Sequence, residues 1–220
     1  MADRARGEVT RLSDALHAHA WDGGWFRRAY MDDGTPLGSK DSPECRIDAI
    51  AQSWAELSGI ADPDLARRAL DASLEHLCLA DPGMMLLLAP PFTQRNDKDP
   101  GYIRAYPPGI RENGGQYTHG VLWTVQALFS AGACERGHSL LSMLNPVHHG
   151  KTAASVARYQ AEPYAVAADV YAAPEHLGRA GWTWYTGAAG WKYRIALKDM
   201  LGVQVRGDFN SWDGSRSPLE

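Results

Sequence analysis

Three stretches in which glycine keeps company with tryptophan and tyrosine interrupt the chain, and they set what it can fold into. They are Trp21-Asp-Gly-Gly-Trp-Phe-Arg-Arg-Ala-Tyr30, Tyr106-Pro-Pro-Gly-Ile-Arg-Glu-Asn-Gly-Gly-Gln-Tyr-Thr-His119 and Gly181-Trp-Thr-Trp-Tyr-Thr-Gly187. Paired glycines and prolines break helices, because one adds backbone entropy and the other removes a donor. Each stretch adjoins a segment of helical periodicity at the same relative place. Helices alternating with such loops, the loops gathered at one end, are the pattern of an all-α chain folded as an α/α toroid. About seven helices are expected, roughly half of a twelve-helix ring.

Between the loops the helical reading is local. The spacing predicts a first helix over 3–20 with Val9, Leu12, Leu16 and Ala20 on one face. A short hairpin is possible around Asp33-Gly34. A second helix over 47–57 carries Ile47, Ile50, Ala51, Trp54 and Leu57 on a stripe and stops at Gly59. Asp62 as N-cap and Pro63 in the first turn open a third, making a helical hairpin. Met84 to Phe92 reads as extended structure, and 93–108 as a long polar loop of the kind that carries function. A strong helix follows from Gln116 to Ala131, then another over 133–144 and one from Glu162 to about Ala172. The last spans 188–201. Val203-Gln-Val205 reads as a short strand before a loose polar tail over 203–220.

Composition excludes some partners. A net charge of -4 argues against nucleic acid and anionic membranes, which need a basic face. No apolar run reaches the roughly 20 residues of a bilayer span, and the charged N-terminus does not resemble a signal peptide. Cys45, Cys78 and Cys134 are widely spaced and odd in number, so each reads as a buried free thiol in a reducing, cytoplasmic setting. Eight Trp and nine Tyr against four Phe favour aromatic rings that also hydrogen-bond, which suits stacking on sugars as well as filling a core.

The chemistry concentrates at 106–119. His119 stands at the start of a helix, where free N–H groups and the helix dipole favour an anion. Arg111, Glu112 and Asn113 are close in sequence, and Gly114-Gly115 let the backbone approach a ligand. Thr186-Gly187 repeats the arrangement at the last helix, with Thr186 as N-cap. Together these suggest one phosphate or sulfate held between two helix starts and an imidazole. Glu112 is a candidate carboxylate for sugar hydroxyls, and Asp48, beside Arg46, reads as salt-bridged structure. Adjacent His148-His149 lack the spacing of helical metal ligands, so no metal is expected.

These stretches, with Asp33-Gly-Thr-Pro-Leu-Gly-Ser39, Glu44-Cys-Arg-Ile-Asp48, Gln52-Ser-Trp54 and Glu162-Pro-Tyr164, resemble the catalytic domain of glycoside hydrolase family 94. The resemblance runs from about residue 10 to 202. It implies a partial (α/α)6 barrel over 1–202 and an inverting phosphorolysis of β-linked glucans. Inorganic phosphate is then the co-substrate, and no cofactor is required. By motif position it implies that His119, Thr186 and Gly187 bind phosphate, Glu112 the transferred sugar, and Arg111 and Tyr106 the leaving sugar. The Gly-Asp-Trp-Asn-Asp-Gly type segment that holds the family's general acid is absent from residues 1–20. The chain is therefore expected to be a fragment, inactive alone, that needs a chain carrying the other half-barrel. Two alternatives stay open. One is a non-catalytic glycan-binding module, the other an inverting hydrolase using Asp48 and Glu112.

Overall fold

The computed structural model describes residues 2–93, 100–184 and 186–203. Helices carry the fold, and every strand among the described residues is two residues long, paired antiparallel with one other. The order begins α1 (Ala2–His19), β1 (Ala29–Tyr30), β2 (Pro36–Leu37), β3 (Ile47–Asp48), α2 (Ala49–Leu57) and α3 (Pro63–Leu77). It continues with β4 (Cys78–Leu79), β5 (Met84–Met85), β6 (Leu88–Ala89), β7 (Gln116–Tyr117), α4 (Thr118–Ser130) and α5 (Cys134–Met143). Last come α6 (Pro146–His149), α7 (Ala153–Tyr159), β8 (Asp169–Val170) and α8 (Thr186–Ile195), which runs into a π-helical turn over Ala196–Met200. This is a partial α/α toroid with small strand pairs pinning its loops.

The centre is α4. It packs on α2, α5 and α8, and its Val121, Leu122, Val125 and Leu128 are buried with Leu70, Leu77, Leu140 and Ile195. Burial of each such side chain stabilises the fold by about 1.5–3 kcal/mol. Local signals worked where they were local. Asp62 caps α3 by accepting from the Asp64 and Leu65 amides, with Pro63 behind it. β1 and β2 form the hairpin around Asp33-Gly34, closed by Met31 N donating to Thr35 O at 2.8 Å. The α2–α3 pair forms as expected.

Several expectations are corrected. The expected stripe of α1 faces a core only at its C-terminal end: Leu16 and Ala20 pack, partly buried, against the cluster of Phe26, Ala55 and Ala69, while Val9 and Leu12 are exposed. Of the stripe expected on α2, Ile47 is buried just before it and Leu57 and Ala51 pack against core clusters, but Trp54 is exposed and the fully buried residues of the helix are Ala49, Gln52, Ser53 and Ala55. Small residues there let α4 come close enough for the Ser53 and Thr124 hydroxyls to hydrogen-bond at 2.8 Å. Helix α4 starts at Thr118, not Gln116, because Gln116 and Tyr117 pair with Val170 and Asp169. The same pairing removes the helix expected over 162–172. That segment is bonded on both sides, with Thr118 N donating to Ala168 O (2.9 Å) and Ala168 N to Trp182 O (2.5 Å). The helix lies earlier, at α7, where Thr152 and Ser155 form a reciprocal capping box. Cys45 is buried and Cys78 half-buried, but Cys134 is exposed. The strand expected at Val203–Val205 and the tail beyond it lie outside the described residues.

Candidate functional site

The site is assembled where α4 and α8 begin. Their first-turn amides lack intrahelical acceptors, although that of Thr118 is taken by Ala168 O. Gly187, in the first turn of α8, faces the imidazole of His119. A Cβ built on Gly187 would lie in ordinary van der Waals contact with the ring, 3.5 Å from His119 Nδ1, so ring and helix start are neighbours. Thr186 is the first helical residue of α8, and its expected capping by side chain lies outside the described residues.

Tryptophans wall the imidazole. The Trp123 and Trp191 rings stand 5.0 Å and 5.8 Å from it, and Trp54 stacks edge-on to Trp123 at 5.5 Å. His119 Nε2 and Trp123 Nε1 are buried without a hydrogen-bond partner. Burial pushes the His119 pKa down, so the ring is held neutral at neutral pH, one nitrogen donating and the other accepting. Both tryptophans sit four residues beyond a helix-start residue, His119 and Gly187, on the same helical face. That spacing could have flagged them in the sequence, and it was missed.

The 106–115 loop is fixed by its own backbone. Gly109 N donates to Asn113 O (2.8 Å) and Gly115 N to Arg111 O (3.1 Å). Asn113 has no exposed surface and is a fastener rather than a ligand group. Its carboxamide accepts from Phe92 N (2.7 Å) and donates to Phe92 O (2.9 Å) and Tyr106 O (2.8 Å). Arg111 takes a left-handed φ of 48°, and its guanidinium lies 5.6 Å above the Tyr106 ring. Arg111 Nε is 3.5 Å from Glu112 Oε2, and that oxygen is buried without a hydrogen-bond partner. Thus Tyr106, Arg111 and Glu112 share one patch, as do His119 and Gly187.

Beside the Arg111–Glu112 patch lies Asp169, which the sequence reading passed over. It sits in β8 opposite Tyr117, with no exposed surface. Burial raises its pKa, opposed by the Arg111 guanidinium and by the amides of Trp182 and Arg111, and reinforced by Glu112. Those amides face the carboxylate outside hydrogen-bond geometry, since neither oxygen has a hydrogen-bond partner. Nearby, the Tyr164, Trp182 and Trp184 side chains are exposed, Tyr164 and Trp184 with ring centres 6.4 Å apart.

Two other candidates belong to the scaffold. Asp48 caps α2 through the Ile50 amide (2.7 Å) and lies 3.4 Å from Arg28 Nε, and burial outweighs these partners to raise its pKa. The 21–30 loop turns its polar groups inward, as Trp25 Nε1 does to the Gly38 and Arg46 carbonyls (both 3.0 Å). Among the described residues no group of three or more His, Cys, Asp or Glu could hold a metal ion, and no helix is long and apolar enough to cross a membrane.

The sequence profile of "Glycosyl hydrolase 94 superfamily, catalytic domain" matches residues 1–202. The chain is 49% identical over 197 residues to "Cyclic beta-(1,2)-glucan synthase NdvB" of Rhizobium meliloti (strain 1021), covering 90% of this chain and 7% of that protein. It is 34% identical to "Solabiose phosphorylase" of Paenibacillus borealis, covering 88% of this chain and 25% of that one. To "N,N'-diacetylchitobiose phosphorylase" of Vibrio proteolyticus the identity is 31%, covering 89% and 24%. The chain thus spans about a quarter or less of the length of these relatives.

Proposed function

The chain belongs to the glycosyl hydrolase 94 superfamily, and from that premise we propose that it carries the phosphate-binding and sugar-binding half of a β-glucan phosphorylase or glucan-synthase site. The observation that carries the reading is the His119 imidazole set 3.5 Å from the Cβ position of Gly187. Two helix starts and a ring nitrogen then converge on one small volume, which suits a phosphate. In this reading His119, Thr186 and Gly187 hold inorganic phosphate, Glu112 accepts from hydroxyls of the transferred sugar, and Arg111 and Tyr106 line the leaving sugar.

Phosphate would attack the anomeric carbon directly from this position, in place of the water used by an inverting hydrolase, so no general base is needed. The neutral His119 supplies an N–H donor to a phosphate oxygen without an opposing charge to solvate. Walls of Trp123 and Trp191 exclude water and strengthen that bond. Proton donation to the leaving oxygen falls to residues outside this chain, and a proton donor contributes typically about 10²–10⁴-fold. A β-linked glucan, inorganic phosphate and a second polypeptide segment completing the barrel are the proposed partners.

The test is formation of a sugar 1-phosphate from β-1,2-glucan and phosphate. The chain alone is expected to give none; with the preceding portion of a relative's catalytic domain added, it is expected to give product that His119→Ala abolishes. Product from the chain alone contradicts the division of labour. A second reading, a glycan-binding module, draws on the exposed Tyr164, Trp182 and Trp184, whose rings suit sugar stacking. Sugar binding indifferent to phosphate and to His119→Ala would favour it.

A further inference from the structure

The imidazole of His119 has two unlike edges. The Nδ1–Cε1 edge looks toward the first turn of α8, where a Cβ on Gly187 would lie 3.5 Å from Nδ1 and 3.7 Å from Cε1. Nε2 is enclosed without a hydrogen-bond partner, and so is Nε1 of Trp123, one helical turn along α4. The two rings stand 5.0 Å apart and inclined by 55°. Trp191 closes on both, 5.8 Å from the imidazole and, edge-on, 6.3 Å from Trp123. Neighbouring rings thus hold two enclosed nitrogens whose hydrogen-bonding capacity is unmet, where buried polar groups are normally paired.

Their chemistry decides between the two neutral forms of the ring. An indole nitrogen only donates, whereas a neutral imidazole carries its single hydrogen on one nitrogen and accepts at the other. With the hydrogen on Nε2, the tryptophan walls would enclose two donors and no acceptor. A bare lone pair on Nδ1 would then face the start of α8, where it repels the oxygens of an anion. With the hydrogen on Nδ1, Nε2 offers its lone pair in the company of an indole N–H, and the donor looks toward the helix start. The form a histidine takes is set by what its other nitrogen meets, and histidine in water prefers the Nε2–H form, so the fold has to select the other. We propose that Trp123 is a positioning residue for anion binding: its enclosed N–H holds His119 in the Nδ1–H form and so turns the only donor of the ring toward the start of α8. This rests on the reading of His119 as a phosphate-binding residue, and adds to it which nitrogen donates and what fixes the choice.

The experiment takes the whole 220-residue chain, free of phosphate and at neutral pH, and records proton–nitrogen correlation spectra of its isotope-labelled imidazoles, which separate the two forms. The His119 signal is the one lost in His119→Gln. Nδ1–H is expected in the wild type. Trp123→Phe keeps an aromatic ring and removes the N–H, and should turn His119 to the Nε2–H form. Inorganic phosphate, titrated separately by calorimetry, should then bind about tenfold more weakly, the weight of one hydrogen bond to a charged group. Trp191→Phe trims the same wall and should leave the Nδ1–H form in place. If Trp123→Phe does not fold, benzothienylalanine at position 123, with both rings kept and sulfur in place of the N–H, is put through the same measurements. An Nε2–H form in the wild type, or an Nδ1–H form that survives loss of the N–H, overturns the inference. An equal change in Trp191→Phe assigns the effect to packing and also overturns it, as does unchanged phosphate affinity in a variant that has switched form. A wild-type chain that binds no phosphate overturns the reading of His119 instead, and the spectra of the phosphate-free chain still decide the role of Trp123.

Discussion

The loop at 21–30 and the loop at 106–119 both set a glycine pair among aromatic and charged residues, and they treat their polar groups in opposite ways. In the first, Asp22 accepts from Arg27 Nη2 (2.7 Å), Ser39 Oγ (2.9 Å) and Lys40 N (2.6 Å), and the Tyr30 hydroxyl donates to His19 O (2.6 Å). Apart from Arg27 Nε, its buried side-chain polar atoms among the described residues are satisfied. Around the second, Glu112 Oε2, His119 Nε2, Trp123 Nε1 and both oxygens of Asp169 are buried without hydrogen bonds. Buried polar groups are normally paired, so a cluster of exceptions needs an explanation, and a ligand's hydrogen bonds supply one. Glycine-aromatic composition marks both loops, and unmet hydrogen-bonding capacity separates them.

The comparison can be broken first at its glycines. Gly109 has φ 83°, and a Cβ there would lie 2.4 Å from Ala173 N, whereas a Cβ on Gly24 meets nothing within 4 Å. Gly109→Ala should cost about 3 kcal/mol or more, and Gly24→Ala less than about 0.5 kcal/mol. Urea denaturation checks both, and equal effects would mean that the second loop is not as tightly seated as described.

The two loops also share a device. Gln52 clasps Phe26 N and O (2.8 and 2.9 Å) and Asp48 O (2.9 Å) much as Asn113 clasps Phe92 and Tyr106. Replacing either by Ala should lose about 2–4 kcal/mol, since buried partners are left unpaired. Only Asn113→Ala should also weaken sugar binding, by loosening the segment that carries Tyr106, Arg111 and Glu112. Sugar affinity unchanged in Asn113→Ala would detach that segment from the site.

The smallest expected effect is in pH dependence. The Asp22 pKa is lowered: burial opposes its charge, but the Lys40 amide, Ser39 and Arg27 outweigh it. Its stabilisation is present above the unfolded value of about 3.9 and is lost as pH falls through the lower folded value. His119 and His149 are lowered chiefly by burial, so the unfolded chain binds the extra proton and stability falls as pH drops below about 6.5. Melting temperatures from pH 3 to 8 should show two limbs (roughly in those ranges). Asp22→Asn should flatten the acid one and His119→Gln part of the milder one. A His119→Gln profile parallel to wild type would contradict the desolvated imidazole.

How far the sequence carried depended on how local each signal was. Asp62-Pro63 and Asp33-Gly34 act within one turn and were legible. The apolar stripes of α1 and α2 were legible as helices and only partly for their facing: Leu16 and Leu57 meet core clusters, but Trp54 looks like core until Ser53 is seen to meet Thr124. Gln116-Tyr117 and the segment after Glu162 were misread for one reason: strand pairing between distant residues overrides local helical preference. His119 and Gly187 were legible as candidates because each lies at the start of a helix. Asp169 was not, since nothing in its own neighbourhood of sequence shows that Gly181 and Arg111 will enclose it.

The central claim is an anion held between the starts of α4 and α8 beside His119. Titration of the chain with inorganic phosphate, followed through the backbone amides of Gly120, Gly187 and Ala188 by nuclear magnetic resonance, tests it most directly. Saturable shifts at all three are predicted, weakened at least about tenfold by His119→Ala and unaltered by Asp22→Asn. Shifts that never saturate, or that His119→Ala leaves in place, would contradict the account.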